Sequence, residues 1–118
     1  MNDTYEVDIR GVHNNADLYI LFQLTSDAAG LIPVDLTGIS FKMSLRDRRR
    51  TIVITMTNGS GITIVDAVNG LYAIDVPQAT LATWPTGDYV HDMLYMQDGR
   101  TFRYWEGEFE LTQGITAP

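Results

Sequence analysis

The sequence of 118 residues contains no cysteine. That excludes structural disulfides, thiolate catalysis, and cysteine-ligated zinc or iron-sulfur centres, so the fold must be held by packing alone. Histidine is nearly as scarce, with His13 and His91 the only two. Positive charge is also thin: 8 Lys and Arg stand against 15 Asp and Glu, a net charge of −7. Nucleic acid and anionic membrane would be approached against that mean field, so neither is expected as a partner. No hydrophobic run comes near the ~20 residues of a membrane span. The longest is Leu18 to Leu24. The opening MNDTYEVDIR has acidic residues where an export signal would have a basic stretch and then an apolar one, so cytoplasmic synthesis without a signal peptide is expected.

What is present is alternation. In ISFKMSLR, Ile39, Phe41, Met43 and Leu45 point one way and Ser40, Lys42, Ser44 and Arg46 the other, as in a half-buried strand. TIVITMT repeats the pattern, with Ile52, Ile54 and Met56 as its apolar face. Further strands are predicted over residues 5–9, 18–25, 62–66, 71–76, 89–96 and 101–112, punctuated by Asn58-Gly59, Asn69-Gly70 and Asp98-Gly99, dipeptides suited to tight turns. The only helical signal is PQATLATWPTG, one or two turns near residues 78–83 that Pro85 stops. With no repeat or linker, the expectation is one domain over residues 1–118, with a free tail from Gly114 to Pro118. The predicted fold class is an all-β, antiparallel sandwich of seven to eight strands with one short helical turn.

The last hairpin carries most of the aromatic residues. On its second strand Trp105, Gly107, Phe109 and Leu111 share one face, and Glu106, Glu108 and Glu110 share the other; a row of carboxylates belongs in water, so the first set points inward. Its first strand, Tyr89 to Met96, is apolar on both faces and is predicted to lie centrally in its sheet or beneath another subunit.

Chemistry is sparse. His91 and Asp92 are adjacent on a strand and point to opposite faces, so they do not converge on a metal or a substrate, and a structural role is expected for His91. No serine stands in a nucleophile elbow, and NGSG at residues 58–61 joins two strands as a turn instead of cradling phosphate. No catalytic, metal or cofactor-binding residue is assigned, and enzymatic activity is not expected. Two groups remain as candidate contact residues. Arg46, Arg48, Arg49 and Arg50 crowd the RDRRR loop, where a solvated hairpin tip competes with a docking element that meets an acidic surface of a partner, another copy included, because guanidinium forks match carboxylates. Tyr95 and Tyr104 flank the Asp98-Gly99 turn as exposed aromatics that suit a partner or the flat face of a glycan.

Asp35-Leu36-Thr37-Gly38 entering a strand, Gly87-Asp88-Tyr89-Val90-His91-Asp92 entering another, Asp98-Gly99 at the hairpin and Glu106-Gly107-Glu108-Phe109 in the last strand are spaced over residues 17–113 in a familiar order. The chain thereby resembles the small immunoglobulin-like proteins of tailed-bacteriophage tails and baseplates, and is similar to the N-terminal immunoglobulin-like domain of the baseplate upper protein family. His91 departs from the pattern, which has tyrosine before the aspartate. The resemblance implies an immunoglobulin-like sandwich that serves as a non-enzymatic virion component, in contact with other virion proteins and copies of itself at the tail, baseplate or fibre attachment region. With no fibre or receptor-binding region after residue 113, it implies an adaptor and not a fibre stem. A head decoration or neck protein is the alternative within that class, and a carbohydrate-binding sandwich module the alternative outside it.

Overall fold

A computed structural model describes residues 5–26, 32–51 and 53–118. Nine strands and one helical turn follow in order: β1 (Tyr5–Glu6), β2 (Ile9–His13), β3 (Leu18–Gln23), β4 (Ser40–Asp47), β5 (Val53–Asn58), β6 (Gly61–Asp66), β7 (Leu71–Val76), α1 (Gln78–Leu81), β8 (Gly87–Gln97) and β9 (Arg100–Thr112). The strands form one curled path, β1-β9-β8-β4-β5-β6-β7-β3, with β2 also on β9. The path folds into two layers at the Asn58–Gly61 corner. β1, β2, β9, β8, β4 and β5 make a larger sheet, and β6, β7 and β3 a smaller one. Phe22 and Tyr72 of the smaller sheet meet Trp105 and Phe41 of the larger, with ring centroids 4.6 Å apart for Phe22–Trp105 and 4.5 Å for Phe41–Tyr72. The expected all-β sandwich is therefore present.

The strand count, nine instead of seven or eight, and the construction of the N-terminal edge depart from the expectation. The N-terminal segment is not one strand but two, and both run parallel to β9, Tyr5 beside Trp105 and Ile9 beside Phe109. The reason lies at Gly107. A Cβ there would sit 2.0 Å from the Val7 carbonyl oxygen, so only glycine lets the backbone of residues 7–8 cross at this point. The break is bridged by side chain: the Asp8 carboxylate accepts the Glu108 N–H at 3.0 Å, a partner that a regular ladder would have supplied from backbone.

The alternation in β4 and β5 is realised. Phe41, Met43 and Leu45 are almost wholly buried, and Met56 lies opposite Met43 with Ile54 opposite Leu45. Ile52, expected on the same face, lies outside the described residues. At the corner the Asn58 side chain replaces the missing ladder, accepting from Phe41 N at 2.8 Å and donating to Ile39 O at 3.1 Å. NGSG is a turn, with Gly59 at positive φ. The predicted helical turn appears as α1; Asp17, brought over from the β2–β3 connection, takes the free Gln78 N–H at 2.7 Å.

β8 is central, with β4 on one side and β9 on the other. It is anchored at its start by Tyr89, whose hydroxyl donates to the Pro85 carbonyl four residues upstream, the arrangement of the tyrosine corner in Greek-key sandwiches. At its end Asp98 and Gly99 both adopt positive φ, as a two-residue type I′ turn requires. Trp105, Phe109 and Leu111 are buried, at 2% exposure or less, while Glu106 and Glu108 are exposed. The closing residues are tied back rather than free up to Thr116: Gly114 N donates to Asn14 Oδ1 and Asn15 Nδ2 to Thr116 O, both at 3.0 Å.

Candidate docking surface

The arginine loop is a constructed tip. Asp47 closes it: its carbonyl accepts Arg50 N at 2.9 Å, and its carboxylate accepts Thr51 N at 2.8 Å and the Thr51 hydroxyl at 2.9 Å. Arg50 adopts a left-handed backbone at φ 58°, which this closure holds. All four guanidinium groups are exposed. Arg48 turns back over the sheet to Glu108, 3.8 Å away, so its charge is partly matched within the chain. Arg49 and Arg50 make no ion pair among the described residues.

Beside the tip, the outer face of the larger sheet forms an open groove. Glu6, Asp8, Asp92, Glu106 and Glu108 line it together with Arg46 and Arg103. Arg103 pairs with Glu106 at 3.2 Å within it, and Arg10 reaches its rim at Glu108, 3.6 Å, and Asp8, 3.7 Å, all between solvated side chains. Such pairs each contribute ~0 to 1 kcal/mol. Sequence reasoning found the glutamate row and the arginine loop separately, and their sharing of one face follows only from the strand order.

Tyr95 and Tyr104 are half-buried, not exposed. β9 carries a bulge between the pairs Met93–Trp105 and Leu94–Arg103, which leaves Tyr104 as the extra residue and turns it toward the core. Its ring lies 5.0 Å from that of Trp105, Tyr95 meets it edge-on at 5.8 Å, and Tyr95 stacks on Phe102 at 5.0 Å. Burial raises the pKa of both Tyr72 and Tyr104, whose hydroxyls approach one another. The two tyrosines are thus wedged into an aromatic seam, with Trp84 elsewhere in the core against Phe109.

The histidines lie apart. His13 Nδ1 meets the Thr112 hydroxyl at 2.8 Å, whereas His91 is 5% exposed, paired between Leu45 and Gly107. Burial lowers the His91 pKa, opposed by the nearby Val7 carbonyl, the Glu108 backbone and the carboxylates of Asp8 and Asp92. Neither of its ring nitrogens makes a well-aligned hydrogen bond among the described residues, although the Val7 carbonyl is close. No group of three or more metal-ligating side chains converges among the described residues. No protein-family model matches the chain, and no curated protein is significantly similar to it.

Proposed function

We propose that this chain is a non-enzymatic virion structural protein of a tailed phage, packing in multiple copies at the tail, baseplate or fibre attachment region. The order and spacing of its strand-entry and turn motifs support the phage assignment. The observation that carries a docking role is the tip: the Asp47 closure spends three hydrogen bonds holding a loop whose Arg49 and Arg50 find no carboxylate within the described chain. Like charges held together in water gain nothing for an isolated domain, and a carboxylate surface on a partner would relieve them.

The experiment is incorporation into particles. Arg46, Arg48, Arg49 and Arg50 are reversed together to glutamate, and purified virions are assayed for the protein. The reversed protein should fold with an unchanged melting curve and be missing from particles. Full incorporation would reduce the tip to a solvated loop, and absence of the wild-type protein from virions would overturn the structural assignment itself.

A further inference from the structure

β3 closes the strand order on the smaller sheet, and no strand lies on its far side among the described residues. The phase of its hydrogen bonds decides what that side offers. Leu24 N–H donates to the Gly70 carbonyl at 2.9 Å, on the β7 side. Backbone groups of an antiparallel strand point alternately to its two sides, so those of Phe22, Ile20 and Leu18 are directed at β7, and the N–H and C=O of Tyr19, Leu21 and Gln23 point away from it. These outward groups meet no backbone partner among the described residues. The segment that precedes β3 runs beside β9 instead of covering it. Nor is the edge disguised. Its pairing with β7 is unbroken from Leu18 to Gln23, it contains no charge, proline or glycine, and Tyr19 and Leu21 stand 56% and 51% exposed. The opposite edge of the molecule is charged at Glu6 and Arg10 and interrupted at Val7 and Asp8, two usual protections against pairing with another chain.

We propose that β3 pairs with β3 of a second copy of the chain, antiparallel and with the two-fold axis at Leu21. Any strand could meet the free backbone groups; the side chains select a copy of this one. In that register Leu21 lies opposite Leu21 of the second copy and Tyr19 opposite its Gln23, so all three outward residues of β3 bond within the strand. On the inner side Ile20 lies opposite Phe22 of the second copy, a β-branched residue beside an aromatic one, which is a favourable cross-strand pair. Both are only half-buried in one copy although they pack on the core, as befits residues whose open side has no neighbour. Charge agrees with the register. An isologous contact sets side chains near the axis against their own counterparts, which penalises any charge there, and β3 has none. Asp17, just before the strand, already accepts from Gln78 N and falls opposite Thr25 of the second copy. Asp75 lies beside Tyr19, and its row continues through Gln23 and Leu71 of the second copy to Asp66, four strand spacings or roughly 19 Å away. That separation exceeds the screening length at physiological salt. The two smaller sheets become one, in the order β6-β7-β3-β3-β7-β6, and the pairing closes the open edge of both copies, so it stops at two.

The inference deepens the reading that the protein packs in copies and rests on that reading for its use in a particle, but its test needs only the purified chain. Sedimentation over a roughly hundredfold range of concentration should show monomer passing to dimer and no further. The contact has no ion pair and each chain carries a net −7, so raising salt from roughly 0.05 M to 0.5 M should leave the dimer as tight or tighter. Leu21→Lys and Leu21→Glu should each raise the dimer Kd about tenfold or more, with melting curves checked for folding, since each sets like charges across the axis. An equimolar mixture of the two variants should recover the dimer, because residue 21 meets residue 21. Hydrogen exchange reads the same contact without any substitution. The Tyr19, Leu21 and Gln23 amides should gain protection as concentration rises, while that of Leu24, already on Gly70, should not change. A wild type that stays monomeric, a dimer that salt dissolves, a mixture that does not recover, or outward amides that stay open in the dimer would each overturn the proposal. Such a dimer from a protein absent from virions would uphold the pairing and overturn the virion assignment; a monomer whose incorporation depends on the arginine tip would do the reverse.

Discussion

The two outer surfaces of the sandwich differ in kind. The larger sheet turns outward nearly all the positive charge of the molecule, interleaved with carboxylates. The smaller sheet turns outward Tyr19, Leu21 and Val65, at 56%, 51% and 46% exposure, with Asp66 and Asp75 as its only charged strand residues. Their edges differ as well. β3 closes the strand order without a charge along its length, whereas β1 and β2, at the opposite end, carry Glu6 and Arg10 and are broken at Val7 and Asp8. Charge and interruption are the usual protections of an edge strand, and here one edge has both. Since the inner faces share one core, this contrast is independent of fold stability. Solubility alone would be served by charge spread over both surfaces, whereas here the positive charge is concentrated on one.

The contrast implies that substitutions should act on stability according to depth and hardly at all according to which sheet they decorate. The largest effect belongs to the shared core. Phe109 is 1% exposed and packs against Tyr89 and Trp84. Phe109→Ala should cost ~3 to 5 kcal/mol, a large part of the stability of a domain this size. It should unfold or insolubilise the protein, and a retained melting temperature would refute the inward assignment of β9.

Next comes the edge of the larger sheet. In Gly107→Ala the new methyl would meet the Val7 carbonyl, so either β1 moves off or β9 bends. The expected cost is roughly 1 to 3 kcal/mol, with hydrogen exchange accelerated first at residues 5–9. Uniform loss of protection across both sheets would show that the crossing at Gly107 is not a local device.

A smaller effect is tied to pH. His91 is kept neutral in the fold chiefly by burial, against the opposing pull of Val7, Glu108, Asp8 and Asp92. Its unfolded form takes up a proton near 6.5, the folded form only at lower pH. The stability contributed by the neutral ring is therefore complete above about 6.5 and is lost as pH falls through the folded value. His91→Leu should flatten the decline in melting temperature between about pH 7.5 and pH 5.5 relative to wild type. An equal decline in both proteins would assign the pH dependence to carboxylates instead.

Much of this was legible in the sequence, and the failures have causes. Period-two alternation in residues 39–46 and the glutamate row of β9 read correctly because one face is buried and the other wet, so each side chain reports its side. Asp98-Gly99 read correctly because few dipeptides tolerate consecutive positive φ. Tyr104 was misplaced by the bulge that shifts the phase of β9, which alternation cannot register. The parallel pairing of β1 and β2 with β9 joins residues about a hundred positions apart, and its one local sign, Gly107 on an inward face, is interpretable only once Val7 is known to lie over it. The candidate docking surface is half legible for the same reason: composition shows where charges cluster along the chain, and strand order decides which clusters share a face.

The smallest effects should come from the surfaces themselves. Arg48→Ala removes a 3.8 Å contact to Glu108 between side chains that are 62% and 49% exposed. Such a pair is worth ~0 to 1 kcal/mol, and a double-mutant cycle with Glu108→Ala should give a coupling at the lower end, because Arg10 already lies 3.6 Å from the same carboxylate and replaces part of what is lost. On the other surface Leu21→Lys exchanges an exposed apolar side chain for a charged one on the uncharged edge, and should likewise change stability by no more than about 0.5 kcal/mol. The two substitutions should separate in solution behaviour. Leu21→Lys should raise the concentration at which the protein aggregates, since it gives β3 the charge that its sister edge possesses. Arg48→Ala should leave aggregation unchanged. If Arg48→Ala instead shifted the aggregation threshold while Leu21→Lys left it unmoved, the larger sheet would be the face through which copies stick, and the roles assigned to the two surfaces would have to be exchanged.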